Sequence, residues 1–207
     1  GYPVNGQGRD RVSMGFLSVL GFVHTLVEER VKPGDTVIDA TAGGGNDTLF
    51  LARCVGAEGR VYAFDIQEEA LQRTARRLEA AADRDALGQV ELLLQSHHRM
   101  AECLPPELAG RVAAVMFNLG YLPGSDHAVI TTTRTTIPAL QAACDLLRPG
   151  GVLTVVVYTG HEGGQAEAGA VEQWAMELPQ TRYQALVYRF VNQRNHPPYV
   201  IAIEKRA

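Results

Sequence analysis

The sequence predicts an α/β fold: a mostly parallel sheet of seven strands ending in an antiparallel hairpin, with helices on both faces. Three observations predict it. Short β-branched or apolar runs alternate with helix-period segments from Thr36 to Leu178. The stretch Asp35 to Phe50 reads as strand, glycine turn and helix start, the unit from which open α/β sheets are built. The last two runs, Tyr183 to Val191 and Tyr199 to Glu204, are too close for a helical crossover and must pair antiparallel.

Residues 1 to 13 are polar and glycine-bearing, with the first methionine at Met14, and are expected to be an N-terminal extension ahead of a single domain spanning 14 to 207. Phe16 to Val27 is apolar and follows Arg9 and Arg11, as in a secretion signal. No small-residue cleavage site follows it, however, only Glu28-Glu29-Arg30, and the run is too short to span a bilayer. A core-packed helix is expected there. Thr36 to Ile38 then forms the first strand, closed by Asp39. Glycines 43 to 45 turn the chain, and Asn46 or Asp47 caps a helix through Val55.

Arg60 to Asp65 is the second strand. Glu68 to Asp83 is a helix with Leu71, Ala75, Leu78 and Ala82 on one face. Strands follow at Val90 to Leu94 and Val112 to Phe117. A loop from Asn118 to about Arg134 leads into a helix through Leu147, in which Pro138 is expected within the first turn. Arg148-Pro149-Gly150-Gly151 ends that helix. Val152 to Tyr158 is continuously apolar, as a strand buried on both faces must be, and a helix from about Ala166 to Leu178 precedes the hairpin.

The chain has 207 residues, 46% hydrophobic and 20% charged, which suits one soluble domain with a real core. A net charge of −4 argues against general adhesion to nucleic acid and leaves room for a local basic surface. Cys54, Cys103 and Cys144 have no metal-ligand spacing and read as buried thiols of a reducing cytosol, so a cytoplasmic location is expected.

Glycine loops of this kind hold dinucleotides, nucleoside triphosphates or S-adenosylmethionine. No Gly-Lys-Ser/Thr follows the loop, so the triphosphate pattern fails. The dinucleotide pattern fails too, because Gly43 and Gly45 fit its first two positions but Thr48 occupies the third. What remains is an acid at the end of strand one, Asp39, a Gly-x-Gly, and a second acid, Asp65, at the end of strand two. A carboxylate there accepts from two ribose hydroxyls and repels a 2′-phosphate. A plain tight turn is the competing reading of the loop.

With the hairpin, these features make the chain resemble the Rossmann-like class I S-adenosylmethionine-dependent methyltransferases. Lys32-Pro33-Gly34-Asp35 before strand one and Leu147-Arg148-Pro149-Gly150-Gly151 before strand five are typical of that superfamily. Within it, Asp39-Ala40-Thr41-Ala42-Gly43-Gly44-Gly45-Asn46-Asp47-Thr48 is similar to the loop of a small bacterial family long labelled putative rRNA methylases. Asn118-Leu119-Gly120-Tyr121-Leu122-Pro123-Gly124 and Ser96-His97 match that family's motifs after strands four and three. Gly44 departs from an expected Asn. The family is associated with the tRNA wobble uridine, where the 5-aminomethyl group of 2-thiouridine becomes 5-methylaminomethyl.

The resemblance implies S-adenosyl-L-methionine as cofactor, held by Asp39, Gly43, Gly44, Asn46, Asp65, Gln67, Ser96 and His97. By spacing alone, Gln67 is equally a solvent-facing helix start, and His98 reads as a plain loop residue. Asn118, Tyr121 and Asp126 are the catalytic candidates. In amine methyltransferases of this fold an Asn at this place accepts hydrogen bonds from the amine, aiming its lone pair at the methyl group. Asp126 and His127 are candidates for taking the proton, with loop capping as the alternative. Tyr121 can stack on the uracil ring or simply pack over the site.

The expected partner is tRNA, in its anticodon region. No membrane and no metal are expected, and a homodimer is compatible with the sequence. Arg182, Arg189, Arg194, Lys205 and Arg206 give the hairpin five basic residues against Glu204, with Arg99 and Arg134 as further phosphate candidates and solvated strand ends as the alternative. Two other functions compete: a methyltransferase acting on an rRNA base or a small amine, and a non-catalytic nucleoside-binding regulatory protein.

Overall fold

The computed structural model describes residues 15–120 and 133–207. The expected extension 1–13, Tyr121, Asp126 and His127 lie outside the described residues. Strands β1 (Thr36–Asp39), β2 (Arg60–Asp65), β3 (Gln89–Leu94), β4 (Val112–Leu119), β5 (Leu147–Val157), β6 (Tyr183–Tyr188) and β7 (Tyr199–Lys205) form one seven-stranded sheet in the order β3-β2-β1-β4-β5-β7-β6. Every pairing is parallel except those of β7, which runs antiparallel to both β5 and β6. Among the described residues the one reversed strand is therefore β7.

Alternation along each strand sorts the core onto two faces. Val37, Val61, Met116, Val156 and Val200 face α1 (Val19–Glu28) and α2 (Asn46–Val55). Ile38, Phe64, Phe117, Val155 and Ile201 face α5 (Thr133–Leu146) and α6 (Gly164–Met176). β5 is buried throughout Val152 to Val157, as its continuous apolar run requires. α3 (Glu68–Ala80) packs beside α2, and the one-turn α4 (Met100–Cys103) follows β3.

The two motifs flanking strands one and five are bonded to each other. Arg148 grips Asp35 through two nitrogens at 3.1 and 3.0 Å and also donates to the Arg30 carbonyl at 2.9 Å.

Several local expectations need correction. α2 is capped by Gly45 in the left-handed conformation, φ 92°, and neither Asn46 nor Asp47 caps it. A Cβ on Gly45 would lie 2.9 Å from the Thr74 Cα, so glycine is required where the loop meets α3. Of the expected inner face of α3, Leu71 is buried and Leu78 packs against the core, joined by Ala70 and Thr74, whereas Ala82 lies beyond the helix end, exposed. Pro138 stands inside α5, past its first turn. Its ring removes one donor without ending the helix, because Ala139, Leu140 and Ala143 hold that segment in the core.

β1 sits between β2 and β4, so the chain reverses its direction of travel across the sheet at the β1/β4 crevice. Open α/β sheets bind ligands beyond the carboxyl ends of their strands at such a point.

Candidate active site

The segment from Asp39 to Thr48 is held from below. Asp39 is completely buried. Its oxygens accept from the Thr41 N–H at 3.1 Å and the Thr48 hydroxyl at 2.6 Å, pinning the loop at both ends. Burial, reinforced by the nearby charge of Asp47, pushes its carboxyl up to about 7.

Asp65 accepts from the Gly43 N–H at 3.0 Å and the Gln67 N–H at 2.9 Å, ties the β1 loop to the end of β2, and stays half-exposed. Each of its oxygens keeps a second lone pair for a ligand hydroxyl. The Gly43 carbonyl accepts from Thr74 and the Gly44 carbonyl from Arg77, which anchors the loop to α3. A Cβ on Gly44 would meet nothing within 4 Å, so that side of the loop is open.

At the neighbouring strand end, the Asn118 N–H donates to the Thr41 hydroxyl at 2.7 Å, and its side-chain Nδ2 donates to Asp47 at 2.8 Å. A carboxylate only accepts, so the amide NH₂ must face Asp47 and Oδ1 must point away from it. The other Asp47 oxygen takes His24 Nε2 at 3.2 Å, and the His24 ring stacks on Phe50 at 3.8 Å. Gly120 follows with φ 86°, and a Cβ there would lie 2.3 Å from His161 Cε1, which explains the glycine of the Asn-Leu-Gly motif.

The predicted site residues thus divide. Asp39, Gly43, Gly44, Asp65 and Asn118 converge on the β1/β4 crevice, and Gln67 is half-exposed beside Asp65. Asn46 is exposed and turned toward a groove of about 1170 Å³ between α1 and α2, lined also by His24, Asp47 and Phe50. Ser96 engages His98 at 2.7 Å.

His97, expected among the cofactor residues, is held in the core instead. It is 6% exposed, tilts against Phe117 and is bonded to the Ala40 backbone, and burial lowers its pKa to about 4, so it is a neutral core histidine. Sequence reasoning also missed Thr41, Asp47 and His24 as neighbours of Asn118. Only the acidic residue in the first turn of α2 was visible beforehand.

Lys205 is a second correction. It is buried and donates to the Cys144 and Leu147 carbonyls at 2.9 and 2.8 Å, satisfying the end of α5 instead of contacting phosphate. The hairpin does not act as one basic unit either. Val157 pairs with Tyr199, which puts the β6–β7 loop with Arg189 and Arg194 at the same carboxyl edge as Asn118; Arg182 and Arg206 lie at the opposite edge. Arg189 lies over the Tyr199 ring at 4.8 Å, Arg194 is exposed, and Arg99 pairs with Glu102.

Residues 61–204 match the protein family described as "Putative rRNA methylase". The chain belongs to this family. It is 37% identical over 99% of its length to the tRNA (mnm(5)s(2)U34)-methyltransferase, chloroplastic, of Arabidopsis thaliana, covering 76% of that protein. A "putative rRNA-methylase" from Clostridium thermocellum superposes with TM-score 0.85 at 41% identity, covering 93% of this chain and all of the other. A "putative methyltransferase" from Streptococcus mutans in complex with SAH superposes with TM-score 0.80 at 34% identity, covering 92% and 99%.

This member of the family is a methyltransferase that uses S-adenosylmethionine. The donor set fits that cofactor. Asp65 retains acceptors for the cofactor's ribose hydroxyls, and Asp39, where ionised beneath the loop, adds negative charge suited to the sulfonium and ammonium groups. Among the described residues no helix is long and apolar enough to cross a membrane.

Proposed function

We propose that this protein N-methylates the 5-aminomethyl group of the tRNA wobble uridine, giving 5-methylaminomethyluridine or its 2-thio form. The observation that carries this reading is the Asn118 amide, whose NH₂ is held by Asp47 so that Oδ1 faces away as an acceptor at the carboxyl edge of β4. An acceptor there suits a nucleophile that bears N–H groups. The likeness to the chloroplast wobble-uridine enzyme supports the same substrate.

S-adenosylmethionine supplies an electrophilic methyl group on a sulfonium sulfur that leaves as a neutral thioether when the amine nitrogen takes the methyl. The chain's task is to orient a deprotonated amine, because an alkyl ammonium at neutral pH has no free lone pair. Gly43, Gly44, Asp65 and Gln67 hold the cofactor, Asp39 braces the loop from below, and Asn46 and Ser96 stand at the margin of the site. Asn118 Oδ1 accepts from the amine and aims its lone pair. Tyr121 and Asp126, which lie outside the described residues, are assigned to uracil stacking and proton acceptance. Arg189 and Arg194, with Arg134 across the mouth, hold the tRNA backbone, and the enzyme works in the cytoplasm.

The test is methyl transfer from labelled S-adenosylmethionine to tRNA from a strain lacking the activity, followed by mass spectrometry of the nucleosides. Appearance of 5-methylaminomethyl(-2-thio)uridine is expected. Label confined to rRNA supplied in parallel would overturn the reading.

A further inference from the structure

We propose that Asp47 and His24 are positioning residues that set the orientation of the Asn118 amide, an inference that rests on Asn118 orienting the substrate amine. An asparagine amide presents an acceptor and a donor of nearly the same shape, and only its surroundings decide which faces the substrate. If the NH₂ faced the amine, two donors would meet and the lone pair would have no guide. Asp47 removes that ambiguity by accepting from Nδ2 at 2.8 Å.

An acidic residue in the first turn of a helix ordinarily favours the helix dipole from the surface. Asp47 is spent differently. Its side chain is only 16% exposed, and its two oxygens take partners 71 and 23 residues away in the sequence, Asn118 Nδ2 and His24 Nε2. His24 must present Nε2–H to a carboxylate, and its stacking on Phe50 with 6° between the planes fixes the ring while leaving it 35% exposed toward the α1–α2 groove. Three elements, α1, α2 and β4, therefore converge on one amide.

The backbone supports the same arrangement. The Asn118 N–H donates to Thr41, whose own N–H is held by Asp39, so the cofactor loop grips Asn118 by main chain and side chain together. A disturbance at Asp47 should reach the reaction rate through Asn118 and by no separate route.

The experiment is a double-mutant cycle in single-turnover methyl transfer at saturating S-adenosylmethionine, using tRNA bearing the unmethylated aminomethyl group. Asp47→Ala is expected to slow transfer at least tenfold. Asp47→Asn should restore part of the rate, because an amide at 47 still pairs with Asn118 but in either orientation. The Asn118→Ala/Asp47→Ala double variant should be no slower than Asn118→Ala alone. His24→Ala, a milder change, should cost about two- to threefold and also vanish in the Asn118→Ala background.

Additive losses in the double variant, or an Asp47→Ala enzyme as fast as the parent, would overturn the positioning role while leaving the amine reading intact. If Asp47→Ala does not fold, the His24 cycle decides in the same way. An Asn118→Ala enzyme with unchanged rate would overturn the amine reading itself.

Discussion

β1 and β4 lie side by side and each carries a polar residue near the same edge, Asp39 as the last of β1 and Asn118 as the last but one of β4. Yet the two ends use their polar groups in opposite ways. Asp39 has no exposed surface and both oxygens committed to its own loop. Asn118 commits its backbone N–H and its NH₂, and keeps Oδ1. The first end builds the site, and the second retains an acceptor with which to act. The contrast recurs in the hairpin, where Lys205 is consumed in closing α5 and Arg194 stays exposed. Residue type alone does not distinguish these uses; the count of committed lone pairs and N–H groups does.

The sharpest way to break this comparison is Asn118→Ala. Removing the open acceptor should lower the methyl-transfer rate on the order of 100-fold, with little change in cofactor affinity, because its bonds matter most in the transition state. Single-turnover kinetics alongside calorimetry checks this. A loss confined to affinity would place Asn118 with the cofactor residues.

Asp65 stands between the two extremes, with one bond per oxygen committed and lone pairs to spare. Asp65→Ala should weaken S-adenosylmethionine binding by about 2 to 3 kcal/mol. Unchanged affinity in calorimetry would remove Asp65 from the site.

The hairpin offers a smaller effect with an internal control. Arg189→Ala with Arg194→Ala should weaken tRNA binding several-fold and lower its salt slope by up to about 1.5, whereas Arg182→Ala with Arg206→Ala at the far edge should change neither. Equal slopes for the two pairs, measured by titration at several salt concentrations, would erase the distinction between the hairpin's ends.

The smallest effect is in the pH dependence of stability. Asp39 is raised from 3.8 to about 7, so its contribution is fully present below pH 4 and is lost as pH rises toward 7. His97 is lowered from 6.5 to about 4, so its contribution is present above pH 6.5 and is lost as pH falls toward 4. The two oppose each other. Asp39→Asn should therefore raise the melting temperature of the free protein at pH 8, steepen its decline toward acid, and weaken binding of the cationic cofactor. Thermal melts from pH 4 to 8 with parallel calorimetry test all three.

Strand runs, helix periods and the glycine loop are local properties, so the sequence by itself determined the alternating α/β order, the antiparallel hairpin and the crevice to which Asp65 and Asn118 belong. Hydrophobic alternation with period two specifies which face each strand residue takes without reference to its neighbours. Commitment of polar groups is not local. Whether Lys205 meets solvent depends on the end of α5, about 60 residues earlier, and whether His97 is open depends on Phe117 and Ala40. The same holds for Gly45, required by Thr74 on α3, and for Asp47, whose partner on β4 no spacing rule reaches. Tertiary structure alone decided these, because a hydrogen bond is specified by distance and angle in space, and those are set only when separate elements pack against one another.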